Sequence, residues 1–162
     1  MTADPFRPLK DAFGRFATGV ALIGCRTRAG GSLFVTVNSF TSVSLSPPLV
    51  LWCLERRASS YEEFMAAPAY SVAILRADQQ ALSDRFARHA PAPIESDQVE
   101  LWETGAPILK DRLAAFDCRI TDRHGAGDHV VLIAQVERFE AGVGLPLLYF
   151  ASRYAVGPET KR

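Results

Sequence analysis

The chain is 162 residues long, with 48% hydrophobic and 22% charged residues, the composition of an ordinary globular domain large enough to close a core. Lys and Arg total 18, as do Asp and Glu, so no bulk field points to nucleic acid or an anionic membrane as partner. The longest apolar run, LVLWCL at 49–54, is far too short to span a bilayer, and the charged N-terminus has no apolar signal core, so the expected place is the cytoplasm.

In chain order, Asp4-Pro5 is a helix start, with a carboxylate cap and proline at the first helical position. Leu9, Ala12, Phe13 and Phe16 line one face of that helix, Gly19 ends it, and it is expected to pack over a barrel end. Residues 20–26 (VALIGCR) and 33–37 are strands joined by a turn at Ala29-Gly30-Gly31. The stretch 36–54 opens with alternating character, passes through Ser39, Thr41, Ser42, Ser44 and Ser46, halts at Pro47-Pro48, and resumes as a buried strand at 49–54. Two prolines cannot donate to a ladder, so an ordered loop rich in hydroxyls and free N–H groups is expected between the strands, beside Phe40. Such a loop suits a planar, phosphorylated ligand. On composition alone, a polar connection whose hydroxyls serve their own backbone is the favoured reading.

A helix should follow, capped by Ser59 or Ser60 with Glu62 or Glu63 as reciprocal partner and stopped by Pro68. Its N-terminus, with Arg56 and Arg57 near, is either simply a cap or an anion site. Residues 70–75 alternate as a strand, and Asp78 caps a helix with Leu82 and Phe86 inward, ending at Arg88 and His89. Residues 90–105 are Pro-rich and acidic and read as an irregular surface excursion pinned by Ile94, Leu101 and Trp102. Strands at 113–122 and 130–139 form an antiparallel pair, 147–150 is the last strand, and the tail from Gly157 should fray. Cys25, Cys53 and Cys118 are odd in number and widely spaced, which argues for free buried thiols, and His89, His124 and His129 lack clustered ligands, so no metal is expected.

Six or seven strands, three helices and no βαβ rhythm predict a mainly β fold. The expected form is a single domain over 1–162, a closed antiparallel barrel with helices at its ends. No G-x-G-x-x-G follows a strand, so a nicotinamide nucleotide would have to bind without the Rossmann device.

The segment T-x-N-S-F-T-S-V-S-L-S-P-P-L-V-L, preceded by F-A-T-G-V at 16–20 and followed by G-D-H at 127–129, resembles the flavin reductase family, whose members are short NAD(P)H-dependent reductases with an FMN-binding split barrel. The similarity runs from about Leu9 to Tyr154, with three motifs in order. It implies that the closed barrel is a Greek-key split barrel and that hydride passes from NADH or NADPH to FMN, with FAD an open alternative. It also implies supply of reduced flavin to a flavin-dependent monooxygenase or halogenase. A barrel this small can barely enclose an isoalloxazine alone, so a homodimer with flavin at the subunit interface is expected. Flavin contacts are expected from Thr36, Val37, Asn38, Ser39, Phe40, Thr41, Arg56, Ser59, Ser60 and Arg88, the last approaching a phosphate or adenylate together with His89. The family's histidine for the nicotinamide nucleotide maps to His129, oriented by Asp128, and Tyr154 is expected in the same cleft. No catalytic group beyond cofactor positioning is needed, since the protein has only to stack two rings and stabilise the anionic edge of reduced flavin. Two departures stand out: Leu9-Lys10 where many relatives have Phe-Arg, and Glu55 beside the expected phosphate. A flavin carrier or sensor without turnover is the rival reading, and an oxidase of pyridoxine phosphates fits the motifs poorly.

Overall fold

The computed structural model describes residues 4–88 and 92–161, so His89 lies outside the described residues. The fold is mainly β. Its centre is a seven-stranded antiparallel sheet built from β2 (Ala21–Arg26), β3 (Ser32–Val37), β4 (Thr41–Leu45), β5 (Pro48–Glu55), β6 (Ala69–Ile74), β9 (Ala114–Ala126) and β10 (His129–Ala141), in the ladder order β3-β2-β6-β9-β10-β5-β4. Two small sheets accompany it. One joins β1 (Thr18–Gly19), β11 (Leu147–Phe150) and β12 (Arg153–Val156), and the other joins β7 (Val99–Leu101) and β8 (Pro107–Leu109).

Consecutive strands β3 and β4 sit at opposite edges of the large sheet. Only Asn38, Ser39 and Phe40 join them, a reach of at most ~14 Å. A flat sheet with six ladder spacings would hold those edges ~29 Å apart. The sheet must therefore curl until its edges face each other, although no ladder pairs β3 with β4 among the described residues. That curl encloses the main core, in which Trp52 meets Phe64 and Tyr70 edge-on at centroid separations of 4.9 and 6.0 Å. A second core lies on the outer face, where Leu22, Phe34, Ala73, Leu75, Phe86, Leu109 and Leu147 pack together. Strands β2 and β6 are covered on both faces, which accounts for their nearly uninterrupted apolar sequences.

Several elements depart from expectation. Helix α1 (Arg7–Phe13) is shorter than its apolar stripe and buries nothing: Leu9, Phe13 and Phe16 are 51, 69 and 79% exposed. Its fourth side chain in line, Phe6, is 62% exposed. The expected loop contracts, because the hydroxyl residues from Thr41 to Leu45 pair with β5 as strand β4, leaving residues 38–40 and the turn at Ser46-Pro47 between the strands. Alternating Ser and Val suit an edge strand as well as a loop. Helix α2 (Tyr61–Ala66) forms, but Ser60 makes no cap bond. Its backbone is helical rather than extended, and Glu63, the would-be reciprocal partner, is held by Arg28. Asp78 does not cap α3 (Gln80–Phe86), being ion-paired to Arg76. The excursion at 90–105 carries the regular strand β7 in its later part. Trp102 lies between the guanidiniums of Arg112 and Arg138, 5.0 and 4.1 Å from its ring centroid. Buried Asp117 accepts hydrogen bonds from the Thr104 backbone N–H (2.8 Å) and hydroxyl. The tail is tied rather than frayed: Gly157 N donates to Pro146 O, and Thr160 N to Gly144 O.

Candidate functional site

The curl leaves a cleft of about 290 Å3 where the two sheet edges converge, at the lower end of the range for small-ligand sites. One wall is the end of β3 and the bend after it, from Val35 to Ser39. Residues 52–55 of β5 form the floor, Ala58, Ser59 and Ser60 ahead of α2 the far side, and Phe86, Ala87 and Arg88 at the end of α3 a rim that His129 faces. A second cleft of about 230 Å3 shares Thr36, Val37, Asn38 and Ala87 with the first and is closed by Tyr149 and Tyr154.

The structure thus gathers Thr36, Val37, Asn38, Ser39, Ser59, Ser60, Arg88 and His129 around one cavity, with Tyr154 in the adjoining one. Phe40, Thr41 and Arg56 stand outside both. Phe40 packs on Phe116, with ring centroids 5.6 Å apart, and Thr41 is exposed at the start of β4. Arg56 turns away from the cleft, its Nε donating to the Gly127 carbonyl (3.2 Å) and Nη1 to the Tyr61 hydroxyl (3.4 Å). Some hydroxyls in the group already have protein partners. Thr36 Oγ1 donates to the Ser83 carbonyl at 2.7 Å, and Ser39 Oγ bonds both the N–H and the C=O of Cys53, at 3.0 and 3.3 Å.

Two buried polar atoms on lining residues, Ser60 Oγ and Trp52 Nε1, have no protein partner. Stranding such groups is costly, so unspent hydrogen-bonding capacity at a cleft wall fits a polar ligand. Arg88 supplies a cation at the rim, while Glu55 places a carboxylate on the floor side. His129 opens β10 opposite Glu55, and Asp128 Oδ1 lies 2.7 Å from its Nδ1. That bond holds the Asp128 carboxyl below the usual carboxylate range, keeping it ionised, and engages Nδ1 rather than Nε2. In the second cleft the Tyr154 hydroxyl joins Ser83 Oγ (2.8 Å) and donates to Asp84 Oδ1 (3.0 Å). The lining contributed by Phe86, Ala87 and residues 52–54 was not anticipated. Their apolar periodicity marks them only as core, and it is the curl that presents them to the cavity.

A mainly β chain whose curled sheet opens a polar cleft, with a cation at one rim and an oriented imidazole at another, belongs to the class that holds a flat nucleotide-like molecule outside any Rossmann sheet. Residues 13–158 match the model of the flavin reductase like domain. A "Probable flavin reductase" of Rhizobium meliloti is 42% identical over 142 residues, which cover 86% of this chain and 46% of that protein, so the chain spans about half of that relative's length. The "FMN reductase (NADH) SmoA" of Agrobacterium fabrum is 39% identical over 143 residues, 88% of this chain and 81% of that protein. The crystal structure of BorF, flavin reductase component of a bacterial two-component tryptophan halogenase, superposes with a TM-score of 0.87 at 31% identity, covering 95% of this chain and 99% of that one. The chain belongs to the flavin reductase family.

Proposed function

We propose that this chain is an NADH- or NADPH-dependent flavin reductase that moves hydride from the nicotinamide to FMN or FAD and hands the reduced flavin to a partner monooxygenase or halogenase. The observation that carries this reading is the single cleft joining Thr36–Ser39, Ser59, Ser60, Arg88 and His129. Redox chemistry is supplied by the two nucleotides when bound; the chain's part is to bind and orient them. The wall at Val35–Ser39 offers one flat side, and Ser60 Oγ and Trp52 Nε1 offer unspent hydrogen-bonding capacity. Arg88 holds the phosphate-bearing end. His129, fixed by Asp128, presents Nε2 to the nicotinamide nucleotide, with Tyr154 flanking it in the second cleft. A relative named as an NADH enzyme supports NADH as the donor, and one named as a halogenase component supports a two-component arrangement.

We further read the curled sheet as a closed split barrel forming one domain, placed in the cytoplasm and paired as a homodimer with flavin at the interface. Among the described residues no helix is long and apolar enough to cross a membrane. Pairing is supported by the uncovered apolar face of α1 and by the modest volume of a cleft walled by one protomer alone. The test is anaerobic stopped-flow mixing of the FMN-loaded protein with NADH. Loss of the oxidised-flavin absorbance within seconds is expected, whereas a protein that binds FMN without bleaching is a carrier. Arg88→Ala should weaken FMN binding about tenfold while leaving riboflavin binding unchanged; equal loss for both overturns the phosphate assignment.

A further inference from the structure

In an antiparallel ladder, alternate residues turn both backbone groups toward the same neighbour. Strand β4 begins at Thr41, opposite Leu51 of β5, so at Cys53, two residues on, β5 has no β4 residue beside it. Its N–H and C=O on that side would be stranded against the cleft floor. The Ser39 hydroxyl takes both: Oγ accepts from Cys53 N at 3.0 Å and donates to Cys53 O at 3.3 Å. One side chain thus replaces a missing rung between the bend and β5. With Ser39 fixed there, its neighbours part. Phe40 goes to the core margin against Phe116, and Asn38 goes to the ridge shared by the two clefts.

Resting on the flavin-site reading above, we propose that Ser39 is a positioning residue whose hydroxyl acts on Cys53 rather than on the ligand. Its bonds hold the 38–40 bend in the shape that binds flavin. The hydroxyl is committed at both its donor and one acceptor position, so it has little left to offer a ligand. Alanine at 39 would free both Cys53 groups and let the bend relax across the cleft, while the volume of the side chain hardly changes.

The experiment compares wild type, Ser39→Ala and Ser39→Thr by two readouts. The first is amide hydrogen exchange at Cys53 without flavin, with Leu132 in mid-sheet as reference; the second is FMN affinity by fluorescence quenching. Ser39→Ala should exchange about tenfold faster at Cys53 with Leu132 unchanged, and should bind FMN about tenfold more weakly. Ser39→Thr, which retains a hydroxyl, should recover most of both. Weaker FMN binding with unaltered Cys53 exchange makes Ser39 a direct contact and overturns the proposal. Faster exchange with unaltered FMN binding overturns it too, as does no change in either. If wild type binds no flavin, the functional reading itself fails, and the exchange data still report whether the rung exists.

Discussion

Replacing Gly24 with alanine tests the packing of β8 against the sheet. A Cβ built there would lie 2.4 Å from the Pro107 carbonyl oxygen, 2.6 Å from Phe34 Cε1 and 2.7 Å from Ser71 Oγ. None of these can yield freely. Pro107 belongs to β8, Phe34 is locked in the outer core against Phe86, and Ser71 Oγ donates to that same Pro107 carbonyl in a fully buried site. One added methyl therefore both overpacks the junction and parts a buried hydrogen bond. Overpacking costs about 1–3 kcal/mol and the weakened bond about 1 more, so ~2–4 kcal/mol is expected. For a chain of this size that lowers the thermal midpoint by about 4–16 °C. Denaturant titration followed by Trp fluorescence measures it directly, and the β7–β8 pair should show the largest rise in amide exchange. A variant within about 0.5 kcal/mol of wild type refutes the claim that β8 is seated on β2 through this contact.

His129→Ala should raise KM for NADH about tenfold with FMN affinity altered by less than about twofold; an unchanged KM removes His129 from the nucleotide site. Burial pushes the Cys25 thiol up to about 12 and the Cys118 thiol up as well, whereas half-buried Cys53 lines the cleft. At about pH 8 roughly one Cys25 in ten thousand would be a thiolate, so maleimide should modify Cys53 alone in the native protein, and FMN should slow it. Labelling of Cys25 at a comparable rate contradicts the burial. The Arg28 backbone N–H, then its guanidinium, holds the Glu63 carboxyl below its ordinary value of 4.5. A carboxylate with a lowered folded value stabilises the fold above the unfolded value and loses that contribution as pH falls through the folded one. Glu63→Gln should therefore be less stable than wild type near neutrality, the difference shrinking as pH falls below the ordinary value of 4.5 and vanishing beneath the lowered folded one in acid titrations; parallel profiles would exclude the ion pair as the cause.

Strands with strong alternation or continuous apolar character were legible in the chain itself, among them β2, β5, β6 and the β9–β10 pair. So were α2 and α3, and the grouping of Thr36–Ser39 with Ser59, Ser60, Arg88 and His129 followed from motif resemblance. What stayed hidden depends on partners far away in sequence. The direction of Arg56 is set by the Gly127 carbonyl, 71 positions on, and nothing near residue 56 announces it. Asp117 sits in an apolar run where a charge looks like an outward residue, yet it is fully buried because Thr104 comes to meet it. Thr41–Leu45 has the hydroxyl content of a loop, and only pairing with β5 makes it a strand. The apolar stripe of α1 was read as a buried face, since periodicity reports that a face wants cover and not what provides it.

The three-residue bridge between β3 and β4 also bears on how the molecule comes into being. Its ends sit on opposite margins of the sheet, so residues 38–40 can reach their final place only once the strands between them have assembled. Closing that gap early would mean ordering the whole ring at once, with its full entropic penalty. The binding cavity is then a late product of folding. During refolding, capture of added FMN should lag behind the burial of Trp52, making the yellow ligand a reporter of the finished molecule rather than a template for it.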